Sequence, residues 1–244
     1  MRIPRVHVRA ELAVGSTVEL PDDAAHHLLR VLRLTDGAEI VLFNGADGDW
    51  HGLLEVAGKR QARAQITRFE PRLTEPPLHL TLVQGISRGQ RMDYTLEKCV
   101  ELGISAVRPV VMARTQAAPS GERVAKKARH WAGVLEAAAA QCGRTRLPEL
   151  RPQTSFDDWL AQAAPTEHPH VLLDPAAATG PSGLTHCDHI TLLAGPEGGF
   201  SPAERDAALA AGCIGLRLGP RVLRTETAAV AALAALQVLF GDLG

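Results

Sequence analysis

Cysteine pairs, long apolar runs and a bias of charge are all missing from this 244-residue chain. Its four cysteines, Cys99, Cys142, Cys187 and Cys213, are far apart and form no CxxC pair. That excludes the usual zinc spacings and a secreted disulfide framework. No run approaches the length that spans a bilayer. The N-terminal stretch "MRIPRVHVRAEL" is basic but has no apolar signal core. The formal net charge is −1, so bulk charge points to neither a nucleic-acid binder nor an acidic partner. Aromatic residues make up only 4% of the chain, which argues against extensive base stacking. These absences predict a cytoplasmic protein with reduced thiols, no metal and no membrane partner.

What is present divides near "EPRLTEPPLHL". Pro71, Pro76 and Pro77 do not fit a continuous helix or a central strand, so a linker is expected at Pro71–Pro77. Before it lie short β-type runs: "RVHV", "TVEL", "EIVLF", "WHGLLEV" and "RAQITRF". Turn signals at Thr35–Gly37 and Asn44–Asp49 separate several of them. One helix is expected at Asp22–Arg33. The pattern predicts a small, mostly β, barrel-like domain over residues 1–72.

From residue 73 to 244 strands and helices alternate. "HLTLVQ", "AVRPVV", "HVLLD", "ITLLAG" and "CIGLRLG" read as strands. Helices are expected at Gln90–Leu102, with Met92, Leu96, Cys99 and Val100 at helical spacing, at Glu122–Cys142 and at Thr225–Phe240. Glycines close the first two, at Gly103 and Gly143. Such alternation implies an α/β domain with a parallel sheet covered on both faces. The last helix is apolar almost all round, the signature of a fully buried helix, within the core or also against a second subunit.

Two loops carry the functional signal. In "LLAGPEGGFSPAE" a strand end leads through Gly195, Pro196, Glu197, Gly198 and Gly199 to a helix capped by Ser201 and Glu204. In "LRLGPRVLRTETAAV" a second strand leads through Gly219-Pro220 to Arg221, Arg224 and another helix. Ligands of open α/β sheets bind beyond the carboxyl ends of strands. Neither loop has the G-K-[ST] of a phosphate loop, and neither is G-x-G-x-x-G. Glu197 would repel a phosphate. Exposed backbone with no lysine suits adenine and ribose on a ligand without phosphate and with its own positive charge, such as S-adenosylmethionine (SAM).

At these loops the sequence resembles the RsmE-type methyltransferases of the SPOUT superfamily, which methylate N3 of a uridine in 16S ribosomal RNA. "HHLLRVLRL", "SRGQRMDYTLEKCVELG" and "QCGRTRLPEL" extend the resemblance, in family order, over nearly the whole chain. Ala140 departs from it, because members often carry glutamate before the "QCGR" block. The resemblance implies a PUA-like, RNA-binding β-barrel followed by a SPOUT domain with a trefoil knot, and a homodimer acting on the small ribosomal subunit. It points SAM to Leu172, Asp174 and Pro175, to Leu193 and Gly195–Gly199, and to Leu216, Leu218, Gly219, Arg221, Leu223 and Arg224.

Chemistry narrows two roles. As N3 of uracil loses its proton and attacks, negative charge develops on O2 and O4, and a guanidinium beside them stabilises it. Arg221 is the first candidate. Arg224 is the second, with pairing to Glu226 or holding an RNA phosphate as its alternatives. Asp174, Glu197, Glu226 and water all stay open as the base. For RNA, the candidate contacts are Arg2, Arg9, His27, Arg30, Arg33 and Arg88. A third basic run, Arg123–His130, reads as a solvated face. Action on tRNA, or an inert ribosome-assembly factor, are the competing readings.

Overall fold

The computed structural model describes residues 3–45, 48–58, 60–116, 118–163 and 168–244. The chain forms two compact units, Met1–Glu75 with Ala139–Leu147, and Pro76–Ala138 with Pro148–Gly244.

In the first unit, β1 (Arg5–His7), β2 (Thr17–Glu19), β3 (Glu39–Phe43), β4 (Gly48–Val56) and β5 (Ala62–Pro71) form one sheet in the order β1-β3-β4-β5-β2. β1 pairs parallel to β3; the other pairs are antiparallel. Alternation along β5 is regular: Ala62, Ala64 and Ile66 are buried, and the residues between them are exposed. They join Val6, Val8, Leu20, Ile40, Leu42 and Leu54 in one core. Leu28 closes this core from a π-helical turn at His27–Val31, into which a short helix, α1 (Asp22–His26), runs. The expected helix therefore ends two residues early, and Arg33 adopts φ 55°. Pro71 ends β5, opposite Gly48, rather than opening the linker. Its missing N–H costs least at a strand end. Part of the Asn44–Asp49 turn lies outside the described residues.

In the second unit every strand pair is parallel: β6 (His79–Gly85), β7 (Ala106–Val111), β8 (Glu149–Leu150), β9 (Thr154–Ser155), β10 (His170–Leu173), β11 (His189–Ala194) and β12 (Ile214–Leu216). The order is β12-β10-β11-β6-β7-β8, with β9 beside β7. The central strands are buried on both faces, as their unbroken apolar runs require. α2 (Gln90–Glu101) buries Met92, Leu96, Cys99 and Val100. It stops at Gly103, φ 79°, after which the Ile104 amide donates to the Cys99 carbonyl. α3 is Glu122–Cys142 and α5 is Pro202–Ala210. Two short strands, β8 and β9, and a helix, α4 (Phe156–Gln162), are additions to the sequence reading.

α6 (Thr225–Phe240) buries one face in the chain's own core. Ala229, Ala232, Leu233, Leu236 and Gln237 are buried, a single stripe at helical spacing. Val238 is 54% and Leu239 41% exposed, so the chain alone covers one face of this apolar helix. No helix among the described residues is long and apolar enough to cross a membrane.

Candidate functional site

The carboxyl ends of three neighbouring strands open onto one cavity of about 320 Å³, within the range of small-molecule sites. Leu173 ends β10 and Asp174 and Pro175 follow it; Ala194 ends β11 and Gly195 to Phe200 follow; Leu216 ends β12 and Leu218, Gly219 and Arg221–Thr225 follow. β10 stands between the two Gly-Pro strands in the sheet, so all three ends contribute to one crevice. Most expected cofactor residues are thereby brought together: Asp174, Pro175, Gly195, Pro196, Glu197, Gly198, Gly199, Leu216, Leu218, Gly219, Arg221, Leu223 and Arg224. Leu172 and Leu193 sit one residue short of the rim of Leu173 and Ala194, fully buried in the core.

Close backbone approach explains the glycines. A Cβ at Gly85, the last residue of β6, would lie 2.5 Å from both the nitrogen and Cδ of Pro196. At Gly195 a Cβ would meet the Gly199 backbone at 3.0 Å. Gly199 and Gly219 have φ of 66° and 78°. The helix after the loop starts as its sequence demands: the Ser201 hydroxyl accepts from the Glu204 amide at 3.2 Å, and Glu204 Oε2 accepts from the Ser201 amide at 2.8 Å. Glu204 Oε1 also takes the Ala113 amide at 2.7 Å.

A buried amide ties the two Gly-Pro loops together. Gln84 Nε2 donates to the Gly85 carbonyl at 2.9 Å and to Thr225 Oγ1 at 3.1 Å, with the Gly195 carbonyl at 3.3 Å. Thr225 Oγ1 in turn donates to the Gly195 carbonyl at 2.6 Å. Gln84 is fully buried, and its position inside the "HLTLVQ" strand gave no sequence signal of this role.

The acids of the site fall into separate settings. Asp174 accepts from Arg205 Nε at 2.7 Å and from the Ala176 amide at 2.9 Å. Arg205 lines the cavity and escaped the sequence reading, because α5 carries no motif beyond its cap. Glu197 Oε1 accepts from the Arg88 amide at 2.7 Å and from Arg91 at 3.2 Å. Burial pushes its carboxyl up, but the amides of Arg88 and Glu197 itself and the Arg91 guanidinium outweigh this, leaving it below its ordinary value. Glu197 is therefore an anchored loop residue. Glu226 approaches Arg91 at 3.9 Å and has no ion pair with Arg224 among the described residues. Arg221 and Arg224 thus stand exposed on the cavity lining with no ion pair among the described residues.

No lysine lines the cavity. An anchored carboxylate, a paired aspartate and glycine-opened backbone suit a ligand without phosphate, as SAM is. These residues fit such a cofactor.

The remaining expected contacts lie apart from the cavity lining. Arg9, His27, Arg30 and Arg33 are exposed on the first unit. Arg5 is not available in the same way: its side chain, 6% exposed, pairs with Asp49 at 2.6 Å. Arg88 is exposed in the second unit and reaches Gln116 at 3.3 Å. Arg2 lies outside the described residues. Arg144, from the "QCGR" block, is buried in the first unit and pairs with Glu75.

Comparison with known proteins agrees with this geometry. Residues 74–237 match the RNA methyltransferase domain and residues 20–67 the RNA methyltransferase PUA domain. The chain is 33% identical to ribosomal RNA small subunit methyltransferase E of Mycobacterium bovis, over 92% of this chain and 87% of that protein. The solved enzyme of that name from Neisseria gonorrhoeae, bound to S-adenosyl methionine, is 37% identical with a TM-score of 0.91 and full coverage of both chains. A Legionella pneumophila protein in complex with SAM is 36% identical, with a TM-score of 0.94 and full coverage of both.

Proposed function

The chain belongs to the ribosomal RNA small subunit methyltransferase E family, and from that premise we propose that it methylates N3 of one uridine in 16S rRNA, using SAM bound at the three strand ends. The observation that carries this reading is the cavity itself: glycine-opened, free of lysine, and edged by two arginines that pair with no acid among the described residues. Bound SAM supplies an electrophilic methyl group on a sulfonium.

The chain's own residues supply position and charge. Gln84 and Thr225 hold the Gly195 and Arg224 ends of the two loops in one register, and such alignment of reacting atoms is a large part of the acceleration of an in-line displacement. Arg221 faces the uracil oxygens as N3 loses its proton, where a planar guanidinium stabilises the developing charge. Arg224 supports the same charge or holds an adjoining phosphate. Asp174 and Glu197 are both engaged by cations and amides, which leaves Glu226 and water as the freer proton acceptors.

The first unit serves as the RNA-binding domain over about residues 1–72, with Arg9, His27, Arg30 and Arg33 meeting phosphates and Arg2 and Arg88 adding to them. Residues 73–244 form the SPOUT domain, apart from the segment Ala139–Leu147, which belongs to the first unit. Its sheet order, with β10 between the later β11 and β12, is compatible with a trefoil knot. The exposed Val238 and Leu239 of α6 support a homodimer. The enzyme works in the cytoplasm on small ribosomal subunits.

Mass spectrometry of rRNA nucleosides tests the reading. A strain lacking the gene should lose one 3-methyluridine from 16S rRNA and regain it on complementation. Loss of a tRNA nucleoside, or of none, would overturn it.

A further inference from the structure

We infer that the first two turns of α3 form a second RNA-binding surface, on the methyltransferase unit itself, that holds the phosphate backbone beside the cavity. The inference rests on the proposed RNA substrate. Between Glu122 and His130 the helix carries Arg123, Lys126, Lys127 and Arg129 against a single acid, Glu122, in a chain whose formal net charge is −1. Arg123, Lys126 and Arg129 are exposed. Arg123 donates to the Ser120 hydroxyl at 3.2 Å, and none of the four cations has an ion pair among the described residues. The cations of α2 behave differently: Arg91 is bound to Glu197, and Lys98 to Glu97 and Glu101.

Placement turns a solvated stripe into a surface with a direction. α2 and α3 both follow the carboxyl ends of parallel strands, β6 and β7, which are neighbours in the sheet. His130 of α3 pairs with Asp93, in the first turn of α2, at 2.9 Å. The residues before His130 therefore continue toward the cavity end of the sheet. At 1.5 Å per residue, Glu122 to His130 spans about 12 Å. The loop before α3 is pinned to the cofactor loop, since Arg114 Nη1 donates to the Gly198 carbonyl at 2.8 Å. Arg88 lies between, with its amide on Glu197 and its guanidinium on Gln116. Arg88, Arg123, Lys126 and Arg129 thus form a row of cations that leads from the cavity rim along α3. Phosphates are the ligand that suits such a row, as point charges met without base contact.

The test uses the full-length protein, with Lys126→Ala/Arg129→Ala and the charge-reversed Lys126→Glu/Arg129→Glu. Small ribosomal subunits from a strain lacking the enzyme serve as substrate. RNA affinity is measured across a potassium chloride series, and methyl transfer is measured in parallel. For the alanine pair the log–log salt slope should shrink by about 1.4–1.8, the release expected for two lost phosphate contacts. KM for the subunit should rise at least tenfold near physiological salt, with kcat and SAM affinity unchanged, and charge reversal should deepen the effect. An unchanged slope and a KM within twofold for both variants would overturn the inference while leaving the function intact. Wild-type protein that binds the RNA with this slope but transfers no methyl group would leave the surface standing and overturn the functional reading.

Discussion

The two ends of the parallel sheet in the second unit are built from the same strands and behave as opposites. At the carboxyl ends, glycines hold backbone open around a cavity, and Arg221 and Arg224 meet no acid among the described residues. At the amino ends, rings fill the space. His79 and His168 each lie 4.3 Å from His189, centroid to centroid, and His170 packs on Trp159 at 5.6 Å. Burial, with the neighbouring charges of Arg151 and the other histidines, holds His79 below its ordinary value and His189 down at about 4. Among the described residues, no three of these and other donors are grouped to hold a metal ion. The difference teaches that the strands alone do not make a site. Loops that keep side chains out make one, and rings packed at the strand starts close the other end.

Breaking the open end at its chemistry should give the largest effect. Arg221→Ala should slow single-turnover methylation at saturating RNA and SAM by about a hundred- to a thousandfold, the usual loss for one preorganised donor of about 2.7–4 kcal/mol. Lysine should rescue poorly, because it lacks the planar fork. A rate within a few-fold of wild type for the alanine variant would move the role to Arg224.

Loosening the frame behind the loops comes next. Gln84→Leu removes the donor shared by Gly85, Gly195 and Thr225. Leaving such buried groups unmatched costs about 1–3 kcal/mol, or roughly fivefold to a hundredfold and more in SAM affinity where the loss falls on the bound state. The melting temperature, measured alongside, separates a loosened loop from an unfolded one. An unaltered SAM affinity would show that the two loops hold their register without Gln84.

Arg30→Ala/Arg33→Ala sharpens the comparison by leaving both ends of the sheet untouched. SAM affinity should hold, and the salt slope for RNA should shrink by about 1.4–1.8. A wild-type slope would reduce this basic stretch to a solvated surface.

The closed end should answer to acid, and only modestly. The folded pKa of His189, about 4, lies below its ordinary 6.5, so the unfolded chain takes up the proton first. Stability should therefore decline as pH falls from about 6.5 toward about 4, and level off below. His189→Asn should flatten that part of a melting curve series. An equally steep series would place the acid sensitivity elsewhere.

Much of this was legible in the sequence for physical reasons that can be named. The capping box at Ser201 and Glu204, the glycine stop at Gly103 and the alternation in β5 are local rules obeyed locally. The Gly-Pro loops announced themselves because close backbone approach at Gly195 and a left-handed backbone at Gly219 favour glycine, and family resemblance then supplied the cofactor. Gln84, Arg91 and Arg205 were illegible because their partners lie far along the chain, at Thr225, Glu197 and Asp174. The ion pair of Arg5 with Asp49 was hidden for the same reason. The apolar composition of α6 predicted full burial, but only packing could say that Val238 and Leu239 lie outside the chain's own core.

The central claim is that the open end holds SAM, and calorimetric titration of SAM into the wild type and Gly195→Val tests it most directly. A valine there must displace Gly199 backbone that its Cβ alone would meet at 3.0 Å. By analogy with overpacked cores this costs about 1–3 kcal/mol. One SAM should bind per wild-type chain, and the affinity should fall roughly fivefold or more in the folded variant. No heat of binding in the wild type, or equal affinity in a variant that melts as the wild type does, would contradict it.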